Sequence, residues 1–179
     1  MSRHTAWAGS GVLLVALLVA IVPATAASAG SHKTKTSHHS SEFVKVGPLE
    51  CPESSIITAA TGTTFKGPSS QNGGTAACIY MDQTGNELNV IYSSPGESKT
   101  KWVATDPSNI GQPASTVSGL GEAAFATTTY GHAEVDIYES SSKEVAVTLD
   151  PANGSAVTPS ELTEVEAVGH SLVKLPYPS

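Results

Sequence analysis

Three residues that can bind metal ions or transfer protons alternate in one short segment of the chain: His132, Glu134 and Asp136. Residues two apart in a β-strand point to the same side of a sheet, so a strand here would place the imidazole and both carboxylates on one surface. Glu144, on the strand that would follow, could add a further carboxylate. Such a group could hold a divalent metal ion or carry out acid–base chemistry. Alternating polar residues are also typical of the water-exposed side of an antiparallel sheet, and we favour that interpretation.

Complete catalytic motifs are absent from the sequence. It contains no G-x-S-x-G elbow, no P-loop, no H-E-x-x-H zinc motif and no EF-hand loop. In the region expected to fold, His132 is accompanied by only one other histidine, His170. We place His170 near the C-terminal end of the last helix, where a protonated imidazole favours the helix dipole, so its predicted role is structural. We therefore expect a protein that is not an enzyme and that uses no catalytic residue and no cofactor.

The only two cysteines are Cys51 and Cys78. An even number of cysteines in an exported chain favours a disulfide, and closing this loop would stabilise the fold by about 3.5 kcal/mol. Two alternatives are a pair of buried free thiols and a redox centre. The redox centre is disfavoured because the chain has no C-x-x-C motif.

The N-terminus has the organisation of a secretory signal peptide. Arg3 precedes an uninterrupted apolar run at residues 12–22, and small residues follow it. Cleavage would fall after Ala29 or after Ala26, and we favour Ala29. The apolar run corresponds to about 16 Å of helix, against about 30 Å for the hydrocarbon core of a bilayer. We therefore assign residues 1–29 to a signal peptide and expect no stable membrane span after its cleavage.

Residues 30–45 are predicted to form a disordered linker rich in serine, histidine and lysine, and residues 46–179 a single folded domain. The linker contains three of the six histidines, which could bind a transition metal weakly: His32, His38 and His39. A solvated linker is the better interpretation, because no cysteine or carboxylate stands at ligand spacing.

The exported chain would be acidic. Removal of the signal peptide takes away Arg3, the only arginine, and leaves eight lysines against sixteen acidic residues, for a formal charge of −8. Such a surface repels nucleic acids and anionic lipids, and bidentate guanidinium binding of phosphate is excluded. We expect no nucleic-acid partner. The predicted partner is a protein or a small-molecule ligand outside the membrane.

The elements that would position these residues are strands with helices around them. A short helix is predicted within residues 52–62. Alternating apolar residues predict a hairpin over residues 76–93 and three further strands between residues 122 and 150. Residues 95–112 carry a weaker pattern, with about one helical turn around Trp102, whose ring we expect to fill the core.

The last predicted element is a C-terminal helix. Thr158 and Glu161 have the spacing of a capping box, and Gly169 inside the helix indicates close packing on the sheet. Residues 66–74 are assigned to a loop by their composition. The predicted fold is therefore α+β: a single antiparallel sheet of about five strands, with a short N-terminal helix and the C-terminal helix packed on one face, and one disulfide.

Three segments carry a family resemblance. Cys51 stands ahead of a short helix, Ala-Cys-Ile-Tyr occupies residues 77–80, and Val-Ser-Gly-Leu-Gly-Glu-Ala-Ala occupies residues 117–124. In these features the chain resembles small exported or lipid-anchored domains of actinobacterial cell envelopes that are grouped as domains of unknown function. The likeness covers about residues 48–175. It implies a fold and a location but no catalytic residues, and the lack of a lipidated cysteine favours release or non-covalent association with the wall.

The leading hypothesis is a secreted, non-catalytic binding domain that acts in or near the cell envelope. One alternative is a metal-assisted extracellular hydrolase that uses His132, Glu134 and Asp136. Another is a proteinaceous inhibitor of an extracellular hydrolase, which would dock through the segments 66–74 or 95–112.

Overall fold

The computed structural model describes residues 42–71 and 76–178, all within one compact unit of the chain. The predicted signal peptide, both cleavage positions and the three linker histidines lie outside the described residues. The first strand, Phe43–Val46, includes the last three residues of the range assigned to the linker. Within the described ranges, no helix has the length and apolar character needed to cross a bilayer.

Nine β-strands form two antiparallel sheets in the described part of the chain. They are β1 (Phe43–Val46), β2 (Leu49–Pro52), β3 (Lys66–Gln71), β4 (Ala77–Met81), β5 (Glu87–Ser93), β6 (Ser115–Thr116), β7 (Ala123–Thr127), β8 (Ala133–Ser140) and β9 (Lys143–Asp150). Strands β1 and β2 pair with each other. The other seven form one sheet in the order β3-β4-β5-β9-β8-β7-β6.

The prediction of a single five-stranded sheet is wrong. The five expected strands are present as β4, β5, β7, β8 and β9, but β3 and β6 add one strand at each edge and β1–β2 form a second sheet. Strand β3 has the sequence Lys-Gly-Pro-Ser-Ser-Gln and lies in the range assigned to a loop. An edge strand pairs through its main chain on one side only, so this exposed strand needs no apolar alternation that sequence analysis could detect.

Three helices accompany the strands among the described residues: α1 (Ser54–Thr61), α2 (Lys99–Asn109) and α3 (Pro159–Leu172). Helix α3 begins at the predicted capping box. The Glu161 amide donates to Thr158 Oγ1 at 3.4 Å, and the Thr158 amide donates to Glu161 Oε2 at 2.5 Å. Both bonds satisfy amide groups that a helix start leaves unpaired, which explains why the helix begins here.

One face of the large sheet, here called the first face, is apolar and lies under α3, with α1 packed beside that helix. Its central residues are at most 1% exposed: Ala133, Val135, Ile137, Val145, Val147 and Leu149. Gly169 lies directly over Ile137, because a Cβ at position 169 would be only 2.8 Å from Ile137 Cδ1. The close packing predicted from this glycine is therefore confirmed.

The opposite face, here called the second face, lies under α2. The Trp102 ring stacks on Phe125 with centroids 5.7 Å apart and lies 5.4 Å from the Tyr138 ring. Trp102 thus fills a core as predicted, but a separate and smaller one, and the expectation of helices on one face only is wrong. Helix α2 buries only Trp102 and Asp106, which is too few apolar contacts to give the sequence a helical period.

The predicted disulfide between Cys51 and Cys78 is confirmed. Cys51 lies in β2, just ahead of α1, so the bond ties the β1–β2 hairpin to β4 of the large sheet. A second link acts beside it: the buried Tyr80 hydroxyl donates to the Pro52 carbonyl at 2.7 Å. The hairpin is therefore anchored to the sheet by one covalent bond and one buried hydrogen bond.

Candidate functional site

The structure divides the residues that the sequence pattern grouped together. His132 and Glu134 form a polar pair at the start of β8, with His132 Nε2 3.1 Å from Glu134 Oε2. The other ring nitrogen, Nδ1, lies 3.9 Å from Asp150 Oδ1 at the end of β9. The imidazole is therefore held between two carboxylates, and neither of them belongs to Asp136.

Asp136 lies in a different group, together with Glu144 and Asp106. One carboxylate oxygen from each of these three residues lies within 4.8 Å of the other two. We call Asp106, Asp136 and Glu144 the carboxylate trio. Asp136 and Glu144 come from the neighbouring strands β8 and β9, as the sequence pattern predicted, and Asp106 comes from α2, which covers the second face.

Two members of the carboxylate trio are buried without partners. Asp106 is 5% exposed and Asp136 is 8% exposed. Asp106 Oδ2 and Asp136 Oδ1 have no hydrogen-bond partner in the described part of the chain, and the ion pairs found there lie elsewhere. The interpretation that Asp136 faces water is therefore wrong. An unpartnered buried polar atom costs about 1–3 kcal/mol, and a charged one costs more.

Glu144, the third member, is held by two donors. The Trp102 indole N–H donates to Oε1 at 2.7 Å, and the Ser93 hydroxyl donates to Oε2 at 2.5 Å. The first bond links the carboxylate to α2 and the second links it to β5. These two bonds fix the orientation of the Glu144 carboxylate before any ligand arrives.

The electrostatics of the trio follow from this burial. Burial, and then the negative charges of Glu144, Glu134 and Glu97, raise the pKa of Asp106 to about 7. Burial also raises the pKa of Asp136 well above its ordinary value, and the neighbouring carboxylates of Glu134, Asp106 and Glu144 add to the effect. Low dielectric and like charges both disfavour an ionised carboxyl. Such a group is neutralised either by a proton or by a cation.

The donor set limits which cation would fit. Three carboxylate oxygens are the ligands preferred by Ca²⁺, Mg²⁺ and Mn²⁺, whereas zinc sites usually include cysteine or histidine. Within the described residues, the trio is the group that brings three potential ligand atoms this close together. Its composition is therefore suited to a hard divalent cation.

Sequence reasoning missed Asp106. The prediction for this region was about one helical turn around Trp102, whereas α2 continues to Asn109. One signal was available: residues four apart lie on the same side of a helix, so a buried Trp102 implies that Asp106 also faces the sheet. Extending the predicted helix by one turn would have found it.

A second candidate site is a cavity of about 210 Å³ between the β1–β2 hairpin, the large sheet and the C-terminal segment. Leu49 lines it from the hairpin, Val90 and Tyr92 from β5, and Tyr177 and Pro178 from the C-terminal segment. We call this cavity the Tyr92 pocket. Cys78 also lines it, so the disulfide forms part of its wall and holds the hairpin over it.

Aromatic rings give the Tyr92 pocket a rigid wall. The Tyr92 and Tyr177 rings meet edge to face with centroids 5.2 Å apart. The Tyr177 hydroxyl donates to the main-chain carbonyls of Ser93 and Glu144 at 2.5 and 3.0 Å, which fixes the C-terminal segment on the sheet. The Tyr92 hydroxyl is buried and has no partner within the described residues, and burial raises its pKa.

Comparison with protein-family models, with curated proteins and with solved structures finds no match for this chain.

Proposed function

We propose that this protein is a secreted, non-catalytic binding domain that acts in or near the cell envelope and takes a small, mostly apolar molecule into the Tyr92 pocket. The location is supported by the signal-peptide pattern of residues 1–29, by the resemblance to exported envelope domains and by the disulfide, which is typical of proteins that leave the reducing cytoplasm.

The observation that carries the binding function is the Tyr92 pocket. Ligand sites in proteins are concave and mostly apolar, and they are usually formed before the ligand arrives. Apolar side chains from three separate parts of the fold line the pocket, together with Glu50. Each of these parts is fixed: the hairpin by the disulfide, β5 by its place inside the sheet, and the C-terminal segment by Tyr177. The cavity therefore lies between elements that tertiary contacts hold in place, and it is not a packing defect between neighbouring side chains.

The binding proposal can be tested by calorimetric titration of the mature protein with toluene and with p-cresol. We expect saturable binding of at least one of them. Leu49→Trp fills the pocket from the hairpin side and should weaken that binding at least about tenfold. Val103→Trp places the same side chain on the exposed surface of α2 and is the matched control. Equal binding by the two variants, or no saturable binding by the wild-type protein, would contradict the proposal.

The location can be tested separately by measuring the intact mass of the protein recovered from culture medium. Cleavage after Ala29 and loss of both thiol hydrogens would be the expected result. Recovery of the protein only with cells, with the leader still attached, would contradict secretion.

A further inference from the structure

We propose that the carboxylate trio of Asp106, Asp136 and Glu144 binds one divalent cation of the oxygen-preferring class, with Ca²⁺ as the physiological ion. The site lies on the second face of the sheet and is separate from the Tyr92 pocket, so it does not depend on the proposed function. Only the preference for Ca²⁺ over Mg²⁺ and Mn²⁺ rests on the proposed extracellular location.

The distances fit a single ion. Calcium is bound by oxygens at about 2.3–2.6 Å, so two oxygens on opposite sides of one ion are separated by about 4.6–5.2 Å. The three trio oxygens lie within 4.8 Å of one another. These separations do not exceed the limit for two ligands of one ion, so small side-chain rotations would bring all three oxygens into contact with the same ion. Water molecules would complete its coordination.

The unpartnered oxygens point independently to a missing ligand. Asp106 Oδ2 and Asp136 Oδ1 are buried and accept no hydrogen bond from the described residues. The same fold satisfies another carboxylate fully: Asp82 Oδ1 accepts from the amides of Thr84, Gly85 and Asn86 at 2.8–2.9 Å. Residues 82–86 thus supply donors to a carboxylate that needs only protein partners, whereas the described residues supply none to Asp106 Oδ2 and Asp136 Oδ1.

The surroundings favour a positive charge. Glu134 adds negative charge near both Asp106 and Asp136, and Glu97, which is paired with Lys101 at 2.9 Å, adds a smaller effect at Asp106. The alternative is that protons neutralise the trio and the carboxyl groups bond to one another. A proton and a cation compete for the same oxygens, so direct measurement of cation binding separates the two accounts.

Trp102 provides a reporter for that measurement. It is the only tryptophan after the signal peptide, and its indole N–H is bonded to the Glu144 carboxylate. Terbium is a luminescent substitute for Ca²⁺, and excited tryptophan transfers energy to it over short distances. The mature protein, stripped with EDTA, should therefore show saturable Trp-sensitised terbium emission, and added Ca²⁺ should displace the terbium. Calcium at one hundred times its Kd should also raise the melting temperature by about 5 °C or more.

Variants locate the site. Asp136→Asn and Asp106→Asn preserve side-chain shape, and each should weaken terbium binding at least tenfold. Glu166→Gln is the matched control, because Glu166 lies in α3, which covers the first face on the other side of the sheet from the trio. It should change terbium binding no more than about threefold. Should either Asp variant fail to fold, Glu144→Gln removes a ligand charge while keeping the acceptor for Trp102.

Two results would overturn the proposal. One is the absence of saturable terbium emission together with the absence of any stabilisation of the wild-type protein by Ca²⁺, Mg²⁺ or Mn²⁺. The other is terbium emission that is lost in Glu134→Gln but retained in the folded trio variants. That result would place the cation site at the His132–Glu134 pair instead of at the trio. Because the toluene and p-cresol titration reports on the Tyr92 pocket and not on the trio, either proposal can fail while the other stands.

Discussion

The two faces of the large sheet are built from the same strands but buried in different ways. On the first face, Val135 of β8 lies directly across from Val147 of β9, and both are fully buried under α3. On the second face, Asp136 lies across from Ala146, under α2. A shift of one residue along β8 thus exchanges an apolar core for a buried carboxylate.

Comparing the two faces shows at which positions the stability of the fold alone explains the type of residue. Apolar pairs on the first face gain free energy from burial, roughly 25 cal/mol for each Å² removed from water, and need nothing else. Unpartnered carboxylates on the second face lose free energy on burial, and well-packed apolar residues at such positions are often neutral or stabilising. Packing therefore accounts for the first face, whereas the second face retains residues that make the isolated fold less stable.

The largest expected effect is on the first face. Leu149→Ala should lower the free energy of unfolding by about 4 kcal/mol, because Leu149 is fully buried and its loss leaves a cavity. Thr148→Ala, at the adjacent position that points to the second face, should change it by less than about 1 kcal/mol. Urea unfolding of both variants provides the measurement. Similar losses at the two positions would remove the distinction between the faces.

The second-largest effect is that of the disulfide, which holds the hairpin beside the first face. Replacing Cys51 and Cys78 together by alanine should lower the free energy of unfolding by about 3.5 kcal/mol, since the unfolded chain is no longer constrained. The same variant should lose binding of toluene and p-cresol in the Tyr92 pocket, because the hairpin forms one of its walls. Pocket binding that survives without the bond would show that Tyr80 and strand pairing suffice to hold the hairpin.

A smaller effect of opposite sign is expected on the second face. In EDTA at pH 8, Asp136→Asn should raise the free energy of unfolding by about 1 kcal/mol, because asparagine avoids both the cost of burying an ionised carboxyl beside other carboxylates and the cost of protonating it. Thermal unfolding of the two proteins measures the difference. A clear loss of stability in EDTA would mean that the Asp136 carboxyl has a protein partner, and that the contrast between the two faces is overstated.

The smallest effect concerns Asp82, a carboxylate that does have partners. Burial alone would raise its pKa, but hydrogen bonds from Thr84, Asn86 and Gly85 outweigh burial and lower it. Asp82→Asn should therefore cost up to about 1 kcal/mol at pH 7. A carboxyl whose pKa is lower in the folded than in the unfolded protein contributes its full stabilisation of the fold above its unfolded pKa, which is about 4. That contribution to the free energy of unfolding disappears as the pH falls through the lowered pKa of the folded protein. Unfolding curves at pH 7 and pH 2.5 test this, and a difference that persists at pH 2.5 would contradict it.

Local patterns predicted the elements that carry a strong signal. The alternation in β8 and β9 and the capping box of α3 each depend on residues that are close together in the sequence. The disulfide could be predicted because the chain has only two cysteines. The same patterns could not predict β3, whose residues make main-chain pairs at a wet edge. They also could not show that α2 covers the second face, because that helix contacts the sheet through few residues.

By itself the sequence determined which two cysteines could pair, the capped final helix and the placement of Asp136 on the strand face opposite Val135, and it carries the pattern on which the proposal of export rests. Only the tertiary structure decided that α2 covers this face around Asp136, that His132 pairs with Glu134 and Asp150, and that Asp106 joins Asp136 and Glu144. The physical reason is that alternation along a strand assigns a side chain to a face, whereas its solvation and its neighbours depend on which distant segment packs there.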